Sequence, residues 1–210
     1  MEVYGEKPKR FTHEWWDYIW YYYKWHIIST VVAVVMVTVG LVQCANKTEY
    51  DLRITVVTEK EIVTTHTDAI TEFAQGVISD ATGNGKNEVL VTGLCLNGKN
   101  AEYEQAQLSK LTIELTVPES YIYIMPRNIA NEAINNGILE ETRTWAGDME
   151  SDGYVISLKG NEKLKSFAID SDGEELYIGV ARIFTENDPE LEKKRQENGI
   201  KVARELVGLE

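Results

Sequence analysis

The uncharged run from Trp25 to Ala45 constrains this chain more than any other feature. Its centre, Ile27 to Val42, holds 16 mostly β-branched or small residues, about 24 Å as a helix. Carried on to Ala45 it reaches about 28 Å, close to the thickness of a bilayer's hydrocarbon core. In lipid a helix satisfies every backbone polar group within its own segment, which outweighs the weak helix preference of valine. Ser29, Thr30 and Thr38 can return their hydroxyl hydrogens to carbonyls one turn back. No second segment is apolar for so long. The expected organisation is therefore a leader at 1–26, a transmembrane helix at 27–45, a tether at 46–49 and one folded domain at 50–210.

Four of the five tryptophans, Trp15, Trp16, Trp20 and Trp25, precede the apolar run, with Tyr4, Tyr18, Tyr21, Tyr22 and Tyr23 among the eleven tyrosines. Such rings favour the headgroup level, dry on the body and wet at the polar tip. Trp15, Trp16, Trp20, Tyr22, Tyr23, Lys24 and Trp25 are the expected membrane-interface residues. Glu14, Asp17, Tyr21 and Lys24 recur at steps of three and four, opposite Phe11, Trp15, Ile19 and Tyr22. Two readings fit this spacing: a helix lying in the interface before it turns inward, or the first turns of one continuous helix.

Lys7, Lys9, Arg10 and Lys24 lie before the span, and Lys47, Arg53 and Lys60 after it. Together with the short leader and long trailing domain, this favours a cytoplasmic N-terminus and an extracytoplasmic domain. Two processing alternatives stand beside a retained anchor. A cleaved signal peptide usually has a shorter and more basic leader. Leu41-Val42-Gln43-Cys44 has the outline of a lipoprotein box, with glutamine where a small residue belongs, so acylation of Cys44 is the other. Asn46-Lys47-Thr48 also has the form of a glycosylation sequon.

Residues 1–48 carry five basic and four acidic residues, leaving 16 and 30 in the rest, a net −14. A body so acidic repels nucleic acid and anionic headgroups. The expected partners are the bilayer and another membrane or envelope protein. Cys44 falls at the membrane boundary and Cys95 within an expected strand, so this is no disulfide scaffold.

Past the tether, apolar strands alternate with helical patterns. Tyr50–Val57 reads as a buried strand, and Thr58-Glu59-Lys60-Glu61 as a capping box starting a helix with Ile62, His66, Ala69, Ile70, Phe73 and Val77 on one face. Glu88–Leu96 is a second strand, Ala101–Thr116 a helix stopped by Pro118, and Tyr121–Met125 a third strand. Pro126 opens a short helix that ends at Gly137. Beyond an irregular stretch, Tyr154–Leu158, Ser166–Ile169 and Leu176–Phe184 read as strands, with a turn at Asp170–Gly173. Pro189 begins a last helix that Asn198-Gly199 should interrupt. The expected class is a three-layer α/β domain with a mostly parallel, mixed sheet of five or six strands.

The Tyr22-Tyr23-Lys24-Trp25 approach to one span, followed by Asp51-Leu52-Arg53-Ile54-Thr55-Val56-Val57, resembles a group of uncharacterised membrane-anchored proteins of Gram-positive bacteria. Members of that group carry an Asp-x-Asn-Gly-Asp-Gly-like turn before the second strand, and Asp80–Gly85 is a weakened version. The order of units is similar to one lobe of a periplasmic solute-binding protein. The resemblance implies no particular activity.

Candidate chemistry is sparse. His66 is the only histidine outside the anchor region, flanked by Ile62 and Ile70, which suits packing better than a catalytic pair. No zinc spacing is present. Asp148, Glu150 and Asp152 alternate before Gly153 like the first half of a calcium loop, but Lys159 stands where its closing glutamate belongs. Asp80–Gly85 has similar spacing with weaker ligands, and acidic glycine turns are also ordinary loop chemistry. If a small ligand binds, α/β sheets offer the crevice beyond the strands' C-terminal ends. That edge should gather Thr58, Asn97, Lys99, Asn100, Arg127 and Asn128, with Arg143 and Trp145 above it. No cofactor is expected. The resulting reading is a membrane-anchored, non-enzymatic interaction module, with a solute-binding or sensing domain as the alternative and a carboxylate-based hydrolase behind both.

Overall fold

A computed structural model describes residues 9–45, 48–149, 151–169, 175–183 and 188–209, without the side chains of 43–45. Outside these residues lie Tyr4, Lys7, the Cys44 side chain, the sequon's Asn46 and Lys47, Glu150, the Asp170–Gly173 turn and Phe184. The chain divides into two compact units, Met1–Thr48 and Glu49–Glu210.

The first unit is one helix, α1 (His13–Ala45), with no break between its aromatic and apolar parts. Of the two expected forms of the leader, this is the continuous one. Thr12 starts it, its Oγ1 accepting from the Trp15 N–H at 3.3 Å. Thr30 and Thr38 donate to the carbonyls of His26 and Val34, each at 2.8 Å, so neither hydroxyl stands unsatisfied on an apolar surface. The stretch His13–Val42 is long and apolar enough to cross a membrane or act as a signal, and its apolar window is wholly exposed.

The second unit is an α/β domain. Its elements run β1 (Leu52–Thr58), α2 (Thr64–Val77), β2 (Val89–Cys95), α3 (Ala101–Glu114), β3 (Ile122–Pro126), α4 (Arg127–Asn135), α5 (Thr142–Trp145), β4 (Ile156–Ser157), α6 (Glu162–Ser166), β5 (Leu176–Val180) and α7 (Pro189–Val207). The five strands form one sheet in the order β2-β1-β3-β5-β4. β1 pairs parallel with β2 and β3, whereas β5 is antiparallel to β3 and β4 antiparallel to β5. The first three strands take the 2-1-3 order of doubly wound sheets, and the late strands close the other side.

Strand alternation builds two cores. Leu52, Ile54, Val56, Ile122, Ile124, Leu176, Ile178 and Val180 face one layer, with Ile70 and Ala74 of α2 and Val202, Ala203 and Leu206 of α7. Val57, Leu94, Tyr123 and Met125 face the other, with Leu111 and Leu115 near α3 and Ile129, Ala130 and Ala133 of α4. Burying one such aliphatic side chain contributes about 1.5–3 kcal/mol, so the two faces supply most of the folding drive.

Four expectations are corrected. Thr58–Glu61 does not begin a helix: the chain bends at Glu59 and Lys60 and enters α2 only after the extended Val63, and Thr58 Oγ1 donates to the Lys60 carbonyl at 2.7 Å. The reason is Ile62, which folds over Gly93 so closely that a Cβ there would lie 2.9 Å from its Cγ2. Ser166–Ile169 is not a strand but the end of α6 and its exit; Asn161 caps the start of that helix by accepting from the Leu164 N–H at 2.9 Å. Tyr154–Leu158 shortens to the two residues of β4. Asn198-Gly199 does not interrupt α7, because both residues are buried against neighbours: a Cβ on Gly199 would sit 3.0 Å from Tyr121 Cβ.

Asn198 closes a buried polar knot. Its Oδ1 accepts from the Ser79 N–H at 3.1 Å and from Ser79 Oγ at 3.2 Å, while its Nδ2 donates to the Ser79 carbonyl at 2.7 Å. Beside it the fully buried Asp51 carboxylate accepts from the N–H groups of Ala81, Thr82 and Glu88 at 2.7–2.9 Å. Three charge-assisted bonds offset much of the cost of burying that carboxylate.

Candidate functional site

The C-terminal ends of β1, β2 and β3 lie along one edge of the sheet. From β1 the chain leaves to α2 on one face; from β3 it leaves to α4 on the other. Neighbouring strands that send their helices to opposite faces open a crevice between them, the usual ligand position in such sheets. Here that point lies between Thr58 and Pro126.

The expected residues divide in two at this edge. Thr58 is buried, with its hydroxyl used on Lys60. Asn97 accepts from the Lys99 N–H at 3.0 Å and donates to Cys95 Sγ at 3.2 Å. Asn100 caps α3, its Oδ1 accepting from the N–H groups of Glu102 and Tyr103 at 3.1 and 3.2 Å. These three side chains therefore serve the turns that carry them. Asn128 is exposed at the start of α4. Trp145 is not above the crevice at all. It is 1% exposed and belongs to the core between the sheet and α7, where its carbonyl accepts from Arg204 Nη1 at 3.1 Å.

Arg127 is the chemically distinctive group. Its guanidinium lies 5.2 Å from the Tyr177 ring centroid and pairs with the Asp152 carboxylate. Ser157 Oγ donates to Glu175 Oε1 at 2.7 Å. That bond, first among its causes, holds the Glu175 carboxyl below its ordinary range, helped by Tyr177, Lys159 and Arg127. Desolvation, with Glu175 nearby, raises the Tyr177 phenol. The sheet builds this cluster by setting the antiparallel β5 beside β3, opposing Tyr177 to Met125 and Leu176 to Pro126. A guanidinium of this kind holds carboxylates and phosphates in a planar fork, so an anionic ligand would have to replace Asp152. Tyr177 and Glu175 were missed in the sequence. The available signal was the alternation Leu176, Tyr177, Ile178, which puts the phenol on the opposite face from its neighbours.

The acidic turns differ from cation cages. Asp152 is held by Arg127, Asp148 is exposed, and Glu150 lies outside the described residues. A depression of about 470 Å³ beside them is lined by Glu141, Arg143, Asp148, Met149, Ser151 and Tyr154, among others. In the other turn Asp80 accepts from the Gly83 and Gly85 N–H groups at 2.6 and 2.7 Å. The Gly85 bond is the main reason its carboxyl lies below the ordinary value. Both glycines have positive φ, which turns those N–H groups inward. Among the described residues no three His, Cys, Asp or Glu side chains are grouped to hold a metal. His66 is half-buried on α2, and Cys95 is buried, its Sγ donating to the Glu59 carbonyl at 3.7 Å.

The expected interface residues all lie on α1. Trp16 and Trp20 are 59% exposed and Trp25 73%, and ring contacts link Trp15 to Trp16 at 4.9 Å and Tyr21 to Tyr22 at 5.1 Å.

Comparison with known protein families, curated proteins and solved structures found no match.

Proposed function

We propose that this chain is a single-span membrane protein whose α/β domain works outside the cytoplasm as an interaction module. One observation carries the reading: α1 presents an apolar surface of mean hydropathy 2.2 over 18 residues, none of it buried by protein. Monomeric proteins in water rarely expose so much contiguous apolar surface, and lipid is the solvent that suits it. Four Lys/Arg residues before the span against three after it, with a short leader ahead of a long domain, fit a helix whose N-terminus stays on the cytoplasmic side. The likeness to membrane-anchored proteins of Gram-positive bacteria belongs to the same proposal.

A reporter fused after Glu210 tests the orientation. Activity of a reporter that folds only outside the cytoplasm supports the proposal, and activity of one restricted to the cytoplasm refutes it. Sequencing the mature N-terminus separates a retained helix from a cleaved signal, and mass analysis of Cys44 detects acylation. Crosslinking in intact membranes tests the interaction role: failure to recover any reproducible partner counts against it.

The Arg127 cluster favours a second reading, a sensor of small anionic solutes at the crevice. Thermal-shift screening of the full chain against carboxylates, phosphorylated compounds, sugars, amino acids and metal ions tests it. A shift abolished by Arg127→Ala supports sensing, and no shift with any compound removes it.

A further inference from the structure

We propose that the β2 edge is a self-association surface, on which β2 of a second copy of this chain adds antiparallel across Thr92. β2 is an edge strand, paired on one side only. The Leu52 N–H meets the Glu88 carbonyl and the Leu96 N–H meets the Thr58 carbonyl, so the even-numbered residues of β2 turn their backbone groups toward β1. Alternation turns those of Val89, Val91 and Gly93 outward. Among the described residues no backbone partner meets these outward groups. Leu90 to Gly93 are only half-buried.

Edge strands usually carry a lysine, a proline or a bulge that discourages pairing. β2 carries none of these. Its pairing with β1 runs through seven consecutive registers without a bulge, and no charge occurs from Val89 to Gly98. An unprotected edge in a domain of net −14 fits a strand that is normally paired.

The pattern within the strand selects a second copy as the occupant. With Thr92 on the two-fold axis, Val91 lies opposite Gly93 and Leu90 opposite Leu94, and symmetry repeats both pairs. Val91 and Gly93 then exchange two N–H···O bonds, and so does the symmetry-related pair. The Val91 side chain reaches the partner's Gly93 position, where Ile62 already provides an apolar wall. On the other face Thr92 meets Thr92 between leucine pairs, a favourable cross-strand set. At the strand ends Glu88 comes opposite Leu96 and Lys86 opposite Gly98, so no like charges face each other.

Thr92→Cys in the full chain, with Cys44→Ser, tests the geometry directly in lipid vesicles under mild oxidation. Residue 92 would form a non-hydrogen-bonded pair with Cα atoms about 4.5 Å apart, within disulfide reach. The expected result is a covalent dimer at position 92 and at least tenfold less product for Ser109→Cys on the outer side of α3. Thr92→Lys, which sets two ammonium groups face to face, should halve the protein mass measured by light scattering in detergent. A monomeric mass for the unmodified chain at every concentration overturns the proposal, as does cross-linking at 109 that equals cross-linking at 92. Loss of another membrane protein's binding in Thr92→Lys, with the chain itself monomeric, would also overturn it and assign the edge to that partner's extended segment.

Discussion

The helices α1 and α7, with 33 and 19 residues, are helical for opposite reasons. α7 carries full local instructions. Asp188 caps it by accepting from the Leu191 N–H at 3.1 Å, proline occupies its first turn, and Gly208 ends it at φ +82°. Its apolar face is sparse, yet Asn198, Gly199, Val202, Ala203 and Leu206 are buried because the sheet is beside them. α1 has the apolar surface that α7 lacks, and its apolar window is unburied. The contrast separates two questions: whether a segment is helical, and which solvent stabilises it. For α7 the answer is the domain; for α1 the proposed answer is lipid.

Tryptophan substitutions should show this contrast most strongly. Trp145→Ala removes a fully buried side chain and should cost the domain about 3–5 kcal/mol in denaturant unfolding. Trp25→Ala, on α1, should leave that unfolding curve unchanged. A large effect at residue 25 would mean that α1 packs on protein after all.

Val35→Lys should come next, at about 3 kcal/mol on insertion scales, read as loss of membrane-integrated product in a translation assay with microsomes. The opposite exchange on α7, Lys194→Val at an exposed position, should change domain stability by under about 0.5 kcal/mol.

The buried positions of α7 sharpen the comparison further. Asn198→Ala strands the Ser79 backbone groups and should cost roughly 2 kcal/mol in urea unfolding. Gly199→Val forces a side chain against Tyr121 and should cost about 1–3 kcal/mol.

The smallest expected effect is the pH response of the Asp80 turn. Its carboxyl is lowered in the folded state by the Gly85 N–H, so its contribution is present above the ordinary value of 3.8 and lost as pH falls through the folded value. Protection of the Gly83 and Gly85 amides, taken relative to the intrinsic exchange rate at each pH, should therefore persist from neutral pH down to the ordinary value of 3.8 and be lost only below it. Asp80→Asn should remove that pH dependence.

Sequence pattern was sufficient where local and global forces agree. Strands β1 to β3, their following helices and α1 could be read because apolar runs are long and Gly or Pro marks their ends. It failed where a distant contact overrides local chemistry. Thr58-Glu59-Lys60-Glu61 has the residues of a capping box, but Ile62 packs over Gly93 and the helix starts only at Thr64. Phe167 and Ile169 look like strand residues because they are apolar, yet they reach the same core from the exit of α6. At the crevice, three asparagines and a threonine were named for their place at the C-terminal ends of the strands, and two of the asparagines serve as turn and cap acceptors. Trp145 looked like a surface aromatic because nothing local shows that α7 returns to cover it. The partners of Arg127 lie 25 and 50 positions downstream: Tyr177 is brought near by the antiparallel β5, and Asp152 by the loop between α5 and β4.

Alkaline carbonate extraction of the full chain from its native membranes tests the account most directly. With α1 spanning the bilayer, the intact protein stays with the vesicle pellet at pH 11. Recovery of the uncleaved chain in the supernatant would contradict it.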